Sequence, residues 1–209
     1  MSRDEEEILG SMRSSTKRNI KKGVKEGLQV KMPGSLEAVQ VFYRLNCITR
    51  KRHGLPPQPW HFFKSVYDHV ISKGHGMVAL AYHKGEPIAG AIYFHFGKKA
   101  LYKYGASDKR HQNLRANDLI MSEAIKWYNK NKYENFSFGR TDPNNSGLMQ
   151  FKAGWGARER IIKYYKYDLK KNAFIKAAPH PKRIYNGVFN NTPIPLLKIF
   201  GSVLYKHMG

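Results

Sequence analysis

The stretch FGRTDPNNSGLMQFKAGWGA, Phe138 to Ala157, runs from an apolar strand end through a polar turn into a short helix carrying Lys152, and leaves by Gly-Trp-Gly. The strand end delivers Arg140, Thr141 and Asp142 to one rim. Pro143, Asn144 and Asn145 then force a turn that caps the next helix. Ligands of open α/β sheets bind at such an edge, so the stretch reads as a site rather than scaffold.

Upstream, residues 4–26 predict one long helix with acids in its first turn and Lys17, Arg18, Lys21, Lys22 and Lys25 later, the polarity a helix dipole favours. Its thin stripe, Ile8, Met12, Ile20 and Val24, covers a neighbour along one seam. Gly27 ends it, and Leu28 to Met32 follows as a short strand. A second helix starts near Ser35, carries Ala38, Val41, Phe42, Leu45 and Ile48 on one side, and is stopped by the prolines of Thr49 to Trp60. A third holds Phe62 or Phe63, Val66, Tyr67 and Val70. Then come strands MVALAYH, PIAGAIYFHF and ALYKYGAS, and turns at Lys84-Gly85 and Gly97-Lys98 make them an antiparallel meander. A helix over 115–132, the strand NFSFGR, the helix near Leu148 to Phe151 and a long strand from Arg158 to Leu169 complete the body. From Lys170 the chain reads as an irregular tail ending in an amphipathic helix, Pro195 to His207. There is no internal repeat.

The 209 residues, 41% of them hydrophobic, suffice for one sizeable core. Thirty-seven Lys and Arg against 15 Asp and Glu give a formal charge of +22, which implies a polyanionic partner: nucleic acid, a nucleotide-bearing donor or an anionic membrane face. A single cysteine excludes an intrachain disulfide framework. The acidic start MSRDEEEILG lacks an apolar signal core and no run has membrane-spanning length, so the chain reads as cytoplasmic. The histidines show no metal-ligand spacing, and no metal is expected. Gly74-His75-Gly76 precedes a strand rather than a helix, so it is no phosphate loop. Cys47 has no base beside it to activate a thiol.

The order of a strand, two helices, three antiparallel strands, a helix, a strand, a helix and a strand is that of the GNAT acyltransferase fold. KRNIKKGVKEGLQV (Lys17 to Val30), FYRLNCITRKRHGLPPQP (Phe42 to Pro59), IAGAIYF (Ile88 to Phe94), YKYGAS (Tyr102 to Ser107) and the Phe138–Ala157 stretch resemble its FemAB-like, peptidoglycan bridge branch over roughly residues 13–170. The resemblance implies an α+β fold with a central mixed, mostly antiparallel sheet flanked by helices. It divides the chain into a connecting basic helix (1–27), a GNAT-like domain (28–170) and a tail (171–209). FemAB-like proteins share the acceptor surface between two tandem GNAT-like domains. This chain resembles the second, so a homodimer or a separate first domain is implied.

A GNAT-type transfer brings an amine to a thioester or ester carbonyl. It needs a donor held by its phosphates, an oxyanion donor and a proton acceptor. The fold implies a carbonyl between the splayed strands ALYKYGAS and NFSFGR, with backbone N–H groups near Tyr104 to Ala106 as oxyanion donors. Asp108 or Asp142, each just past a strand end, can take the proton, or can simply cap a turn. Tyr104 can donate to the leaving group, or pack. Acetyl-CoA users of this fold wrap the pyrophosphate with a Gly-rich loop opening the next helix, but Ser107 to Trp127 contains no glycine. Lys109, Arg110 and Arg115 stand there instead, cations that suit a phosphodiester backbone. Lys152 and Arg140 are further donor-binding candidates. Arg50, Arg52 and Trp60 are acceptor-side candidates for a sugar-phosphate or cell-wall acceptor, against a solvated charge run and core packing.

Three functions fit: a FemAB-like aminoacyltransferase with aminoacyl-tRNA as co-substrate, a GNAT acyltransferase using acyl-CoA, and a non-catalytic RNA-binding remnant. No tightly bound cofactor is expected. The final helix, with Leu196, Leu197, Phe200, Val203 and Leu204 on one face and Lys198 and Lys206 flanking, can dock on its own domain, on a twin, or peripherally on a membrane.

Overall fold

A computed structural model describes residues 5–175 and 186–205. Five strands, β1 (Gln29–Lys31), β2 (Gly76–His83), β3 (Glu86–Phe96), β4 (Lys99–Ser107) and β5 (Asn135–Ser137), form one sheet in sequential order. Pairing is antiparallel from β1 to β4, and β4 pairs with β5 in parallel. This is the mixed, mostly antiparallel sheet the sequence predicted. The first hairpin leaves two loop residues, Lys84 and Gly85, both at positive φ (50° and 83°), as a type I′ turn requires.

Strand alternation splits the core in two. Met77, Ala79, Ala81, Ala89, Ala91 and Tyr93 face one side, where α5 (Ala116–Lys130) lays Leu119, Ile120, Ala124 and Tyr128. Val78, Leu80 and Ile92 face the other, against Val39, Phe42 and Phe63 of α3 (Leu36–Arg52) and α4 (Trp60–Val66). Ser35 starts α3 by accepting the Ala38 N–H (3.3 Å), which fits the sequence reading. The third helix changes to a π turn over Tyr67–Ile71.

Four boundaries depart from expectation. The N-terminal helix is two helices, α1 (Glu5–Ser11) and α2 (Ser14–Lys25), because Arg13 is extended and gives its N–H to the Gly154 carbonyl (2.9 Å). Asp4 lies outside the described residues. On α2 the buried positions are Thr16 and Gly23, and Val24 is exposed. Gly23 lies against Leu119, where an added Cβ would sit 3.3 Å from the Leu119 Cβ, so α2 crosses α5 closely. NFSFGR is a strand only to Ser137, and Arg158 to Leu169 only over β6 (Lys166–Asp168). β6 pairs with β7 (Ala173–Ile175) in a separate hairpin and not with the sheet, and its segment is mostly exposed. The tail is less irregular than predicted, holding α7 (Asn186–Asn191) and α8 (Ile194–Leu204). Lys206 and His207, assigned to the last helix, lie outside the described residues.

Where β3 meets the start of β4, His95 sits among Trp127, Tyr128 and Tyr133. Its Nε2 contacts the Gly74 carbonyl (2.9 Å), which can only accept, so Nε2 carries the proton and Nδ1 accepts from the Tyr128 hydroxyl (3.0 Å). Burial, the largest cause, lowers the His95 pKa below its ordinary 6.5. The unfolded chain therefore takes up a proton at a higher pH than the native state does. Stability should fall as pH drops below about 6.5 and stop falling below the lowered native value. Urea midpoints at descending pH test this, and His95→Gln should flatten the slope.

Candidate active site

β4 and β5 pair only from Lys99–Asn135 to Leu101–Ser137. Past that point β5 ends while β4 runs on to Ser107, and at Gly139 (φ +68°) an added Cβ would lie 3.1 Å from the Tyr102 carbonyl. The parallel strands thus part beside Tyr102, leaving one edge of β4 open. Asp108 N–H points to β3, bonding the Ile88 carbonyl (2.9 Å), whereas Ser107 N–H points to the other edge and meets Thr49 Oγ1 of α3 (2.9 Å). Thr49 in turn donates to the Ser107 carbonyl (3.1 Å). By the same alternation Gly105 aims its N–H into the open edge, past the last β5 pair. The backbone donor expected among Tyr104 to Ala106 therefore narrows to Gly105.

A β-bulge decides which tyrosine belongs to this edge. Ile92 pairs with Tyr104 and Tyr93 with Tyr102, so Lys103 is the extra residue and the side chains on either side of it face opposite ways. Tyr104 turns to the α3–α4 side, edge-on to Phe62, Phe63 and Phe94. Its ring thus fills an aromatic cluster, which agrees with the packing reading of this tyrosine. Tyr102 turns to the α5 side with its hydroxyl over Gly105, where any Cβ would strike it. Burial pushes the Tyr102 pKa up to about 12, keeping the hydroxyl protonated. Neither Tyr102 nor Thr49 stands out in the sequence, since Tyr-Lys-Tyr spacing carries no mark of a bulge and Thr49 meets Ser107 only across 58 residues.

Past β4, Asp108 is buried. Its carboxylate accepts the Arg110 backbone N–H (3.0 Å) and is gripped by the Arg110 guanidinium (2.6 Å to Nη2), which holds its pKa below the usual value. Such an anion is a poor base and a good cap, so Asp108 starts the 3-10 turn Lys109–Leu114. Lys109, Arg110 and Arg115 are exposed along this turn, with Arg115 left-handed (φ 62°) at the start of α5. Asp118, one turn in, is held by Asn19 of α2 (3.4 Å), which gives the Arg-Asn-Ile sequence a contact; burial raises its pKa.

On the other rim, Arg140 donates to the Tyr164 hydroxyl (2.6 Å). Asp142 is exposed, its Oδ1 accepting the Asn144 backbone N–H (2.9 Å) and side-chain amide (3.1 Å). Asn145 caps α6 (Ser146–Ala153) through the Leu148 N–H (3.1 Å). Lys152 is 9% exposed and its ammonium bonds the carbonyls of Gly139 (2.9 Å) and Arg140 (3.2 Å). Burial lowers its pKa. Lys152 thus ties α6 to the bend where the strands part instead of reaching out to solvent. Gly-Trp-Gly packs on the α1–α2 break: Trp155 is buried, and a Cβ at Gly154 or Gly156 would meet Thr16 Oγ1 (2.6 Å) or Ser11 Oγ (2.8 Å).

The acceptor-side candidates lie elsewhere. Arg50 Nε donates to the Pro56 carbonyl (3.1 Å), and Arg52 Nη2 stands 3.5 Å from His53 Nε2. Trp60 tilts on Tyr43 (5.4 Å) beside a groove of about 420 Å³ lined by Glu37, Gln40 and Arg44. A second groove, about 290 Å³, lies between Ile8 and Met12 and α5. Neither is lined by Asp108, Asp142 or Lys152. Burial pushes the Cys47 thiol up, away from thiolate chemistry. No group of His, Cys, Asp and Glu among the described residues is placed to hold a metal ion.

Residues 10–153 match the acetyltransferase (GNAT) domain family model. The chain belongs to the GNAT acetyltransferase domain family. The five-stranded sheet, the bulged β4 and the parting of β4 from β5 lie within or beside the matched residues. Among solved structures, it is similar to FemX (TM-score 0.68, 18% identity, 74% of this chain and 56% of that one). It thus spans little more than half of FemX. The ribosomal-protein-S18-alanine N-acetyltransferase from Escherichia coli is also similar (TM-score 0.55, 13% identity, 74% and 97% covered). So is AAC(6')-Iy, solved with a CoA-containing bisubstrate analogue (TM-score 0.53, 14% identity, 68% and 99% covered). No curated protein matches the sequence.

Proposed function

We propose that this GNAT protein moves an aminoacyl group from aminoacyl-tRNA to an amine on an acceptor such as a cell-wall precursor. The observation that carries the reading is the segment after β4. Where bare glycine backbone would wrap a pyrophosphate, this chain has a glycine-free 3-10 turn pinned by Asp108 and Arg110, with Lys109, Arg110 and Arg115 exposed along it. Such cations suit a sugar-phosphate backbone, and the net +22 charge draws a long polyanion. The FemAB-like sequence features and the likeness to FemX lean the same way.

In this reading the acceptor nitrogen attacks the ester carbonyl carbon at the β4–β5 splay. The Gly105 N–H steadies the oxyanion. As the C–O bond breaks, the departing ribose oxygen takes the Tyr102 proton, which solvent restores. The amine proton leaves through Asp142 or water. Lys152 and Arg140 act by fixing the rim. A second copy of this chain or a separate first domain would complete the acceptor surface, for which Arg50, Arg52 and Trp60 are candidates.

An acyl-CoA donor is the alternative, favoured by the likeness to AAC(6')-Iy with its CoA-containing analogue. Filter binding across a salt series separates the two. Charged tRNA should be retained better than uncharged tRNA and should not be displaced by acyl-CoA. Displacement by acyl-CoA supports the alternative, and equal retention of both tRNAs reduces the charge to nonspecific attraction.

A further inference from the structure

We propose that α8 seats this protein on an anionic membrane surface, whatever its acyl donor. α8 is apolar on two sides, and one is already used. Leu197 is fully buried, Ile194 packs on the α3–α4 core, and Gly201 crosses Pro57 so closely that a Cβ there would strike the Pro57 carbonyl. The other side, Leu196, Ile199, Phe200, Val203 and Leu204, recurs at i, i+3, i+4, i+7 and i+8 and is open, with Ile199 and Val203 each 60% exposed. Phe200 extends it to Phe189 of α7, ring centres 6.0 Å apart. The Ser202 hydroxyl is spent on the Ile199 carbonyl (2.7 Å), and the helix's one charged residue, Lys198, lies against the Tyr43 ring (5.3 Å).

Charge selects the occupant. From Leu169 to Gly209 the sequence has no Asp or Glu and seven Lys or Arg, within a chain of net +22. A second copy meeting this face would bring two strongly cationic chains together. RNA would satisfy the charge and leave the apolar side chains in water. An anionic bilayer satisfies both. At 11 residues α8 is too short to span, and no helix among the described residues is long and apolar enough to do so, so α8 would lie in the interface plane.

The test is co-sedimentation of the full chain with phosphatidylcholine vesicles containing about one-third phosphatidylglycerol, against phosphatidylcholine alone, for wild type and Ile199→Asp/Val203→Asp. Partition should be at least ~10-fold stronger on the anionic vesicles, and the double variant, with an unchanged melt, should lose at least ~10-fold. A single Val203→Trp reporter should shift its emission to the blue on the same vesicles, which covers misfolding of the double variant. Unchanged binding by a folded double variant, or a reporter that does not shift, overturns the proposal. So does a wild-type dimer in light scattering that the double variant renders monomeric.

Discussion

Tyr102→Phe is expected to slow acyl transfer by about 10²- to 10³-fold while leaving donor binding within about twofold. The bulge at Lys103 brings this hydroxyl over Gly105, at the edge where the parallel strands part, and burial keeps it protonated. Phe keeps the ring that packs on Tyr93 (5.6 Å), so the loss should fall on turnover rather than on stability. Tyr104→Phe is the matched control. Its ring sits in the Phe62–Phe63 cluster on the opposite face, and the substitution should leave turnover near wild type. Single-turnover kinetics with saturating donor read both. A Tyr104 variant as slow as the Tyr102 variant would return the leaving-group role to Tyr104.

Gly156→Ala should destabilise the fold by about 2–5 kcal/mol, through two causes that add. Gly156 is left-handed (φ +73°), a conformation that costs an L-residue about 1–2 kcal/mol. Its Cβ would also press on the Ser11 side chain (2.8 Å) and carbonyl (2.9 Å), where a forced shift in a packed region costs about 1–3 kcal/mol. The damage should spread, because this contact seats the α1–α2 break on the exit of α6, near the Arg13 N–H bond to Gly154 (2.9 Å). Gly147→Ala, in the first turn of α6 with nothing within 4 Å of an added Cβ, should be neutral or slightly stabilising. Urea unfolding at constant m-value checks the pair. Equal midpoints for the two variants would remove the packing role assigned to Gly-Trp-Gly.

Local signals were legible without coordinates wherever a short segment settles its own conformation. Lys84-Gly85 named a hairpin, Ser35 a helix start and Asn145 a cap, because turns and caps close hydrogen bonds within a few residues. Apolar runs bounded by turn residues marked β2 to β4. Arg158 to Leu169 shows the limit. Its isoleucines and tyrosines suit a strand, but a strand needs a neighbour, and only Lys166–Asp168 finds one, in β7. The long N-terminal helix failed similarly, since the bend at Arg13 depends on a carbonyl, Gly154 O, more than a hundred residues away.

Composition and local pattern thus determined a basic α+β chain, because periodicity, turn chemistry and net charge are properties of neighbouring residues, and the FemAB-like resemblance added the GNAT fold and a candidate edge near Ser107 and Arg140. Tertiary structure decided which groups hold that edge. A bulge turned Tyr102 and Tyr104 to opposite faces, Arg110 made Asp108 a cap, Thr49 closed the end of β4, and two carbonyls drew Lys152 inward. Each of these outcomes rests on where a side chain's polar atom meets a partner that folding brings to it.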